Sequence, residues 1–393
     1  MPGALDGIRV LDFSTMVSGP VATAILADQG ADVIKIESPS GDEMRKIGNT
    51  RNGLTAGFFS CNRGKKSVVL NLKNELAKKA LEKLIATADV LVQNFRPGAM
   101  ERMGFGEQAV RKIKPDIIYV SISGFGETGP YAHKRVYDPV IQALCGATDI
   151  QADRDTGRPK MFRIIIADKV TSITAAQAIS SALFSRERTG KGQHIKLSML
   201  DTMVAFFWPE AMSGITFVGD EIDVTKYQGT MDLIYETKTG FITAGAISDS
   251  EWLGMCTVLN RPDWVDDDRF ATTTARFRNA EERKQLTGAE IMKWERDELL
   301  ERFDAEGVPS APLLTRLELL DDLQIHENHT IEIYEFEEHG KIRQARPAAI
   351  FEGTPSEVKS PAPHLGEHSS EVLESVGLST AEVKALAEAG SVT

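Results

Sequence analysis

The stretch SISGFGETGPYAHK, residues 121–134, decides how the chain is read. It carries G-x-G-x-x-G at Gly124, Gly126 and Gly129, directly after IIYVSIS, an apolar run with the composition of a buried strand. A dinucleotide-binding turn needs a helix that begins inside the motif, so that its first amides meet a pyrophosphate. It also needs an acidic residue about twenty positions on, at a second strand end. Here Pro130 follows the last glycine, the next helix signal is Pro139, and the region of Asp149 does not read as a strand end. The glycines are better read as a bent loop at the carboxyl end of a strand, where α/β sheets receive ligands, and no NAD is expected. A plain glycine-rich surface turn is the competing reading.

Outward from this loop, strand and helix alternate. IRVLDFS, ADVIKIES, KSVVLNL, DVLVQNF and DIIYVSIS read as strands; PVATAILADQG and NELAKKALEKLIATA read as helices, the second capped by Asn74. Strands apolar throughout, separated by helices, predict a doubly wound, mostly parallel sheet of Rossmann-like α/β type. DPVIQALCGATDI is read as a helix with Asp138 as cap and Pro139 first inside it. FRIIIA leads into a long small-residue helix that stops at Gly190–Gly192, and HIKLSMLDTMVAFF is a strand running into a helix. Near Ser213 the pattern changes. DLIYETKTGFITAGAIS reads as a hairpin and the charged segments after it as helices. The expected division is a large domain at 1–212, a smaller α+β domain at 225–320, and a Pro-containing segment at 321–393 that returns to the large domain.

The bulk numbers narrow the function. A chain of 393 residues exceeds the usual single core. Net charge is −12, which argues against a nucleic-acid binder; basic residues concentrate in the first 200 positions, so an anionic ligand belongs there. No apolar run approaches the ~20 residues that span a bilayer, and the N-terminus lacks the pattern of a secretory leader. Three distant cysteines, Cys61, Cys145 and Cys256, suit a reducing compartment, so a cytoplasmic protein is expected. The histidines show no metal-ligand spacing, and no metal is expected.

Six motifs in order resemble one family. GIRVLDFSTMVSGPVATAILADQGADVIKIESPSGD, LNLK at Leu70, ADVLVQNFRPGAMERMGF, SISGFGETGPYA, YDPVIQALCG and ADKVTSITAAQAISSALFSRERTGKGQHIKLSMLD resemble class III CoA-transferases. The likeness covers about the first 205 residues and continues weakly beyond. It implies transfer of coenzyme A between an acyl-CoA and a carboxylic acid, with no metal or redox cofactor, in an interlaced, ring-like homodimer.

Read alone, Asp168 is a helix-capping carboxylate, favoured in its charged form by the unsatisfied amides. The resemblance makes it the nucleophile, forming a mixed anhydride and then an aspartyl-CoA thioester. It places coenzyme A against Val17 and Ser18, against Leu70, Asn71, Leu72 and Lys73, and against Asn94, Phe95, Arg96, Arg102, Arg135, Tyr137 and Asp138. Lys73, Arg96, Arg102 and Arg135 would meet phosphate. Gly124, Gly126 and Gly245 would supply oxyanion or covering-loop amides. Two departures stand out: Ser38 replaces an expected arginine, and TAGAIS keeps only Gly245 of a glycine run. Tyr227, Asp232 and Tyr235 could select the substrate. A 2-methylacyl-CoA racemase of the same superfamily is the alternative, but it needs a histidine where Tyr137 stands. A non-catalytic CoA-binding module is the second alternative.

Overall fold

The computed structural model describes residues 1–153, 155–222 and 233–392. Tyr227 and Asp232 lie outside the described residues. The chain forms two compact units: 1–208 together with 329–393, and 209–328.

The larger unit is built on six parallel strands: β1 (Arg9–Asp12), β2 (Asp32–Glu37), β3 (Lys66–Val69), β4 (Val90–Gln93), β5 (Ile118–Ser123) and β6 (His194–Ser198). Their spatial order is β3-β2-β1-β4-β5-β6, so the winding reverses between β1 and β4. Leu11 faces Ile34 on one side and Leu91 on the other.

Alternation along the strands sorts the core into two layers. Val10, Val90, Val92, Ile118 and Val120 pack against α1 (Ser18–Asp28) and a long later helix. Leu11, Ile34, Leu91 and Tyr119 point to the opposite face and meet α2 (Glu75–Ala86). Asn74 caps α2 by accepting from the Leu76 N–H at 2.9 Å. Next come α3 (Asp138–Leu144), α4 (Ile166–Thr189) and α5 (Met199–Phe207). Ala175, Ala176 and Ala182 give α4 a smooth face toward α1, and the helix ends at Gly190 in the left-handed region.

Two details differ from expectation. Asp138 is the first residue of α3 and Tyr137 takes the cap position. Asp168, read alone as a helix cap, lies inside the first turn of α4, and Ile165 takes the cap position.

In the smaller unit, β7 (Ile234–Thr237) and β8 (Gly240–Ala244) form a hairpin, with β9 (Ser310–Pro312) along its other edge. Trp252, Trp264, Phe270, Leu299 and Phe303 fill its core, and Trp252 stacks on Trp264 with centroids 6.0 Å apart.

The chain then re-enters the larger unit as a hairpin of β10 (Ile331–Phe336) and β11 (Gly340–Ala345). It ends in α6 (Ser369–Ser375) and α7 (Thr380–Glu388). Val372, Leu373, Val383, Leu386 and Val392 complete the α2 face of the sheet. No helix among the described residues is long and apolar enough to cross a membrane. The three cysteines are unpaired and buried.

Candidate active site

A cavity of about 440 Å³ opens at the carboxyl ends of β1, β4 and β5, where the sheet winding reverses. Doubly wound sheets bind ligands in this crevice, because loops leaving neighbouring strands there diverge to opposite faces. Its walls are Thr15–Ser18 after β1, Asn94–Pro97 after β4, Ser123 and Gly124 after β5, residues 136–139 entering α3, and Ile165 and Asp168 at the start of α4.

Asp168 lies in the first turn of α4. Its backbone N–H donates to Asp138 Oδ2 at 3.1 Å. Its carboxylate receives the backbone N–H and the hydroxyl of Ser18. Burial, and then the nearby Asp138 charge, push its pKa up to about 6 against the lowering bonds from Ser18. The helix start therefore does not dominate, as the sequence suggested; desolvation does. A carboxylate with a pKa near 6 is still mostly ionised at neutral pH, yet more basic than a surface aspartate. If the anion is the attacking group, kcat/KM falls about tenfold per pH unit below about pH 6 and levels off above it. Asp138→Asn removes one raising charge, so a pH–rate profile should show that limb displaced to lower pH, but only partly, since burial remains.

Asp138 is itself held. It is 2% exposed, and Gln142 Nε2 donates to its Oδ1 at 2.5 Å. The same amide reaches the Ile164 carbonyl at 3.1 Å, while Gln142 Oε1 accepts from Phe162 N–H at 2.9 Å. One buried side chain thus fixes both Asp138 and the coil leading to Asp168.

The loop carrying Ser18 is held from below by buried charges. Asp12 pairs with Lys65 at 2.8 Å and accepts from Ser14 N–H at 2.9 Å and Thr23 Oγ1 at 2.8 Å. Lys35 pairs with Asp42 at 3.0 Å and donates to the Ser14 carbonyl at 2.8 Å. Asp42 Oδ1 accepts from the N–H of Met16, which has φ of 65°. A non-glycine residue in that region needs such external support. On the other side, the Asn94 amide exchanges two 2.8 Å bonds with the Thr15 backbone.

Of the residues the sequence proposed, Val17, Ser18, Asn94, Phe95, Arg96, Tyr137, Asp138, Gly124 and Asp168 meet at the cavity. Tyr137 is 69% exposed. Leu70, Asn71, Leu72 and Lys73 are not in its walls. They follow β3, two strands from the reversal; Leu70 is in the core and Asn71 N–H donates to Ser391 O at 2.9 Å. Arg102 and Arg135 are exposed outside the lining.

Gly126 N–H donates to Ser123 Oγ at 3.0 Å and Gly245 N–H to Pro309 O at 3.1 Å, so both amides are already engaged. Gly245 and the buried Tyr235 belong to the smaller unit. Gly124 is sterically required, because an added Cβ would lie 2.5 Å from a Val136 methyl. Gly124→Ala should cost about 1–3 kcal/mol, read as a lower denaturant midpoint, and displace the cavity wall.

Sequence reading missed Lys134, Ile165 and Met199 in the lining and the whole Asp12–Lys65–Lys35–Asp42 cluster. Lys35 between Val33, Ile34 and Ile36 was the available signal, since a lysine buried in an inner strand needs a partner.

An acidic side chain stands in a strand-end crevice, and comparison with known proteins supplies the class. The profile of CoA-transferase family III matches residues 5–369. The chain is 32% identical over 384 residues to the succinate–glutarate CoA-transferase of Agrobacterium fabrum, covering 94% of each. It is 32% identical over 425 residues to the formyl-CoA:oxalate CoA-transferase of Streptomyces avermitilis, covering 99% of this chain and 100% of that one. A CAIB/BAIF family protein from Brucella suis superposes with a TM-score of 0.82 at 30% identity, over 96% of this chain and 100% of that one. The chain belongs to CoA-transferase family III and is a CoA-transferase.

Proposed function

We propose that this enzyme moves coenzyme A from an acyl-CoA to a dicarboxylic acid through covalent intermediates on Asp168. The observation that carries the reading is the buried Asp168 carboxylate, held by Ser18 at the mouth of the strand-end cavity with its basicity raised. An Asp168 oxygen attacks the thioester carbonyl and expels CoA thiolate, giving a mixed anhydride. The thiolate attacks the aspartyl carbonyl of that anhydride; the donor acid leaves, and an aspartyl-CoA thioester remains. The acceptor carboxylate attacks this thioester and forms a second anhydride, again releasing thiolate. Attack of the thiolate on the acceptor's acyl carbon gives the new thioester and returns the free carboxylate.

Arg96 and Lys134 at the rim offer positive charge to the CoA phosphates or to the acceptor's second carboxylate. A dicarboxylate is favoured because relatives are named for glutarate, oxalate and mesaconate. We further propose the interlaced homodimer; exposed Ile173 and Phe184 on α4 and Phe206 on α5 give a second copy apolar surface to cover.

Covalent trapping tests the reading. Incubation with succinyl-CoA followed by borohydride or hydroxylamine should modify Asp168, seen by peptide mass spectrometry. Exchange of a C2 proton in deuterium oxide with Asp168 unmodified would instead assign racemase chemistry.

A further inference from the structure

The hairpin turn between β10 and β11 brings together side chains that lie far apart in the sequence. Glu338 and His339 sit in the turn, and His364 arrives from the segment before α6. One ligand atom from each lies within 4.8 Å of the other two. His364 Nε2 and Glu338 Oε2 are already 3.3 Å apart. Two ligands around a tetrahedral ion with bonds near 2.0–2.1 Å are separated by about 3.3 Å, so this edge is at the required length.

A second observation is independent of the cluster's spacing. His339 is 4% exposed, and it also lines the neighbouring cavity with Arg51 and Lys341. Its ring stands edge-on to Phe59 and 5.4 Å from the His364 ring. A largely buried imidazole at a cavity wall is held in place to act as a ligand. An ion shared by all three would satisfy each.

The backbone around the turn is anchored independently. Arg51 donates to the His339 and Lys341 carbonyls at 3.1 and 2.8 Å, and Asn52 donates to the Glu338 carbonyl. The three side chains are therefore presented by a braced frame.

We propose that Glu338, His339 and His364 bind a divalent first-row transition ion, Zn²⁺ foremost. Two imidazoles and one carboxylate suit Zn²⁺ or Co²⁺ and disfavour Mg²⁺ and Ca²⁺, which take oxygen ligands. None of the three ligands lines the catalytic cavity. The ion staples the re-entrant hairpin and the segment before α6 to the loop carrying Arg51 and Asn52.

The test uses the full-length chain, stripped with EDTA and dialysed. Zn²⁺ titration should give one equivalent bound with micromolar or tighter affinity and a higher Tm, and Co²⁺ should give visible d–d absorption. Glu338→Gln and His364→Ala alter exposed or half-buried side chains and should each weaken Zn²⁺ binding at least tenfold without changing the circular dichroism spectrum. Absence of saturable Zn²⁺ binding, or equal binding in both variants, overturns the proposal. The readout does not use CoA transfer, so failure here leaves the role of Asp168 untouched.

Discussion

Asp168→Asn is expected to lower kcat for CoA transfer by about a thousandfold or more, with the fold intact. Removing a covalent nucleophile takes away both intermediates at once, and such losses are among the largest single-residue effects in enzymes. Asparagine has nearly the same shape and keeps an oxygen to accept from Ser18, which donates both its N–H and its hydroxyl here. The backbone bond from residue 168 to Asp138 is unaffected by the change. New thioester can be followed by chromatography, with thermal unfolding as the control for folding. Asp168→Glu keeps the charge but displaces it by one methylene, and a shift of about 1 Å costs on the order of a hundredfold. Native turnover in Asp168→Asn would remove the basis of the covalent mechanism.

Asp12→Ala is expected to destabilise the larger unit by about 3–5 kcal/mol, the usual cost of breaking a buried ion pair on one side. Domains are stable by only about 5–15 kcal/mol, so urea unfolding should show a large fall in midpoint. The loss has several parts. Lys65 Nζ would keep only the Pro20 carbonyl and Asn62 Oδ1, at 2.9 and 2.8 Å. Ser14 would lose its acceptor, and Thr23 Oγ1 would fall back on the Gly19 and Pro20 carbonyls. The loop bearing Ser18 would lose its floor, so activity should fall with stability.

The pH dependence has a defined sign. Burial raises the Asp12 pKa, but the charges of Lys65 and Lys35 bring it from 3.8 down to about 2. Its stabilisation is therefore complete above pH 3.8 and is lost as pH falls through about 2. Asp12→Asn should flatten that part of the acid-unfolding curve.

The parallel sheet was legible because its strands are apolar on both faces and alternate with capped helices. The reading misplaced two helix caps: Tyr137, not Asp138, precedes α3, and Ile165, not Asp168, precedes α4. Periodicity cannot separate these cases, since it records residue type and not backbone conformation. The binding residues divided for a topological reason. Segments after β1, β4 and β5 reach the cavity, whereas 70–73 follow β3 on the far side of β2. Position after a strand was readable from the chain, but spatial order among strands was not. Lys35 and Lys65 were missed because their partners stand as far as 53 residues away. His339 and His364 were read as lacking metal-ligand spacing, since only the fold brings them together.

The closing residues carry a consequence for biosynthesis. The α2 face of the sheet is finished by Val372, Leu373, Val383, Leu386 and Val392, and Asn71 leans on the Ser391 carbonyl. Translation delivers these groups after all six strands of the sheet, at roughly 5–20 residues per second. Strands made early must therefore wait, one greasy side bare, until residues 372–392 have emerged. A stop codon before position 369 would yield a chain that chaperones hold and proteases clear, even with every catalytic group present.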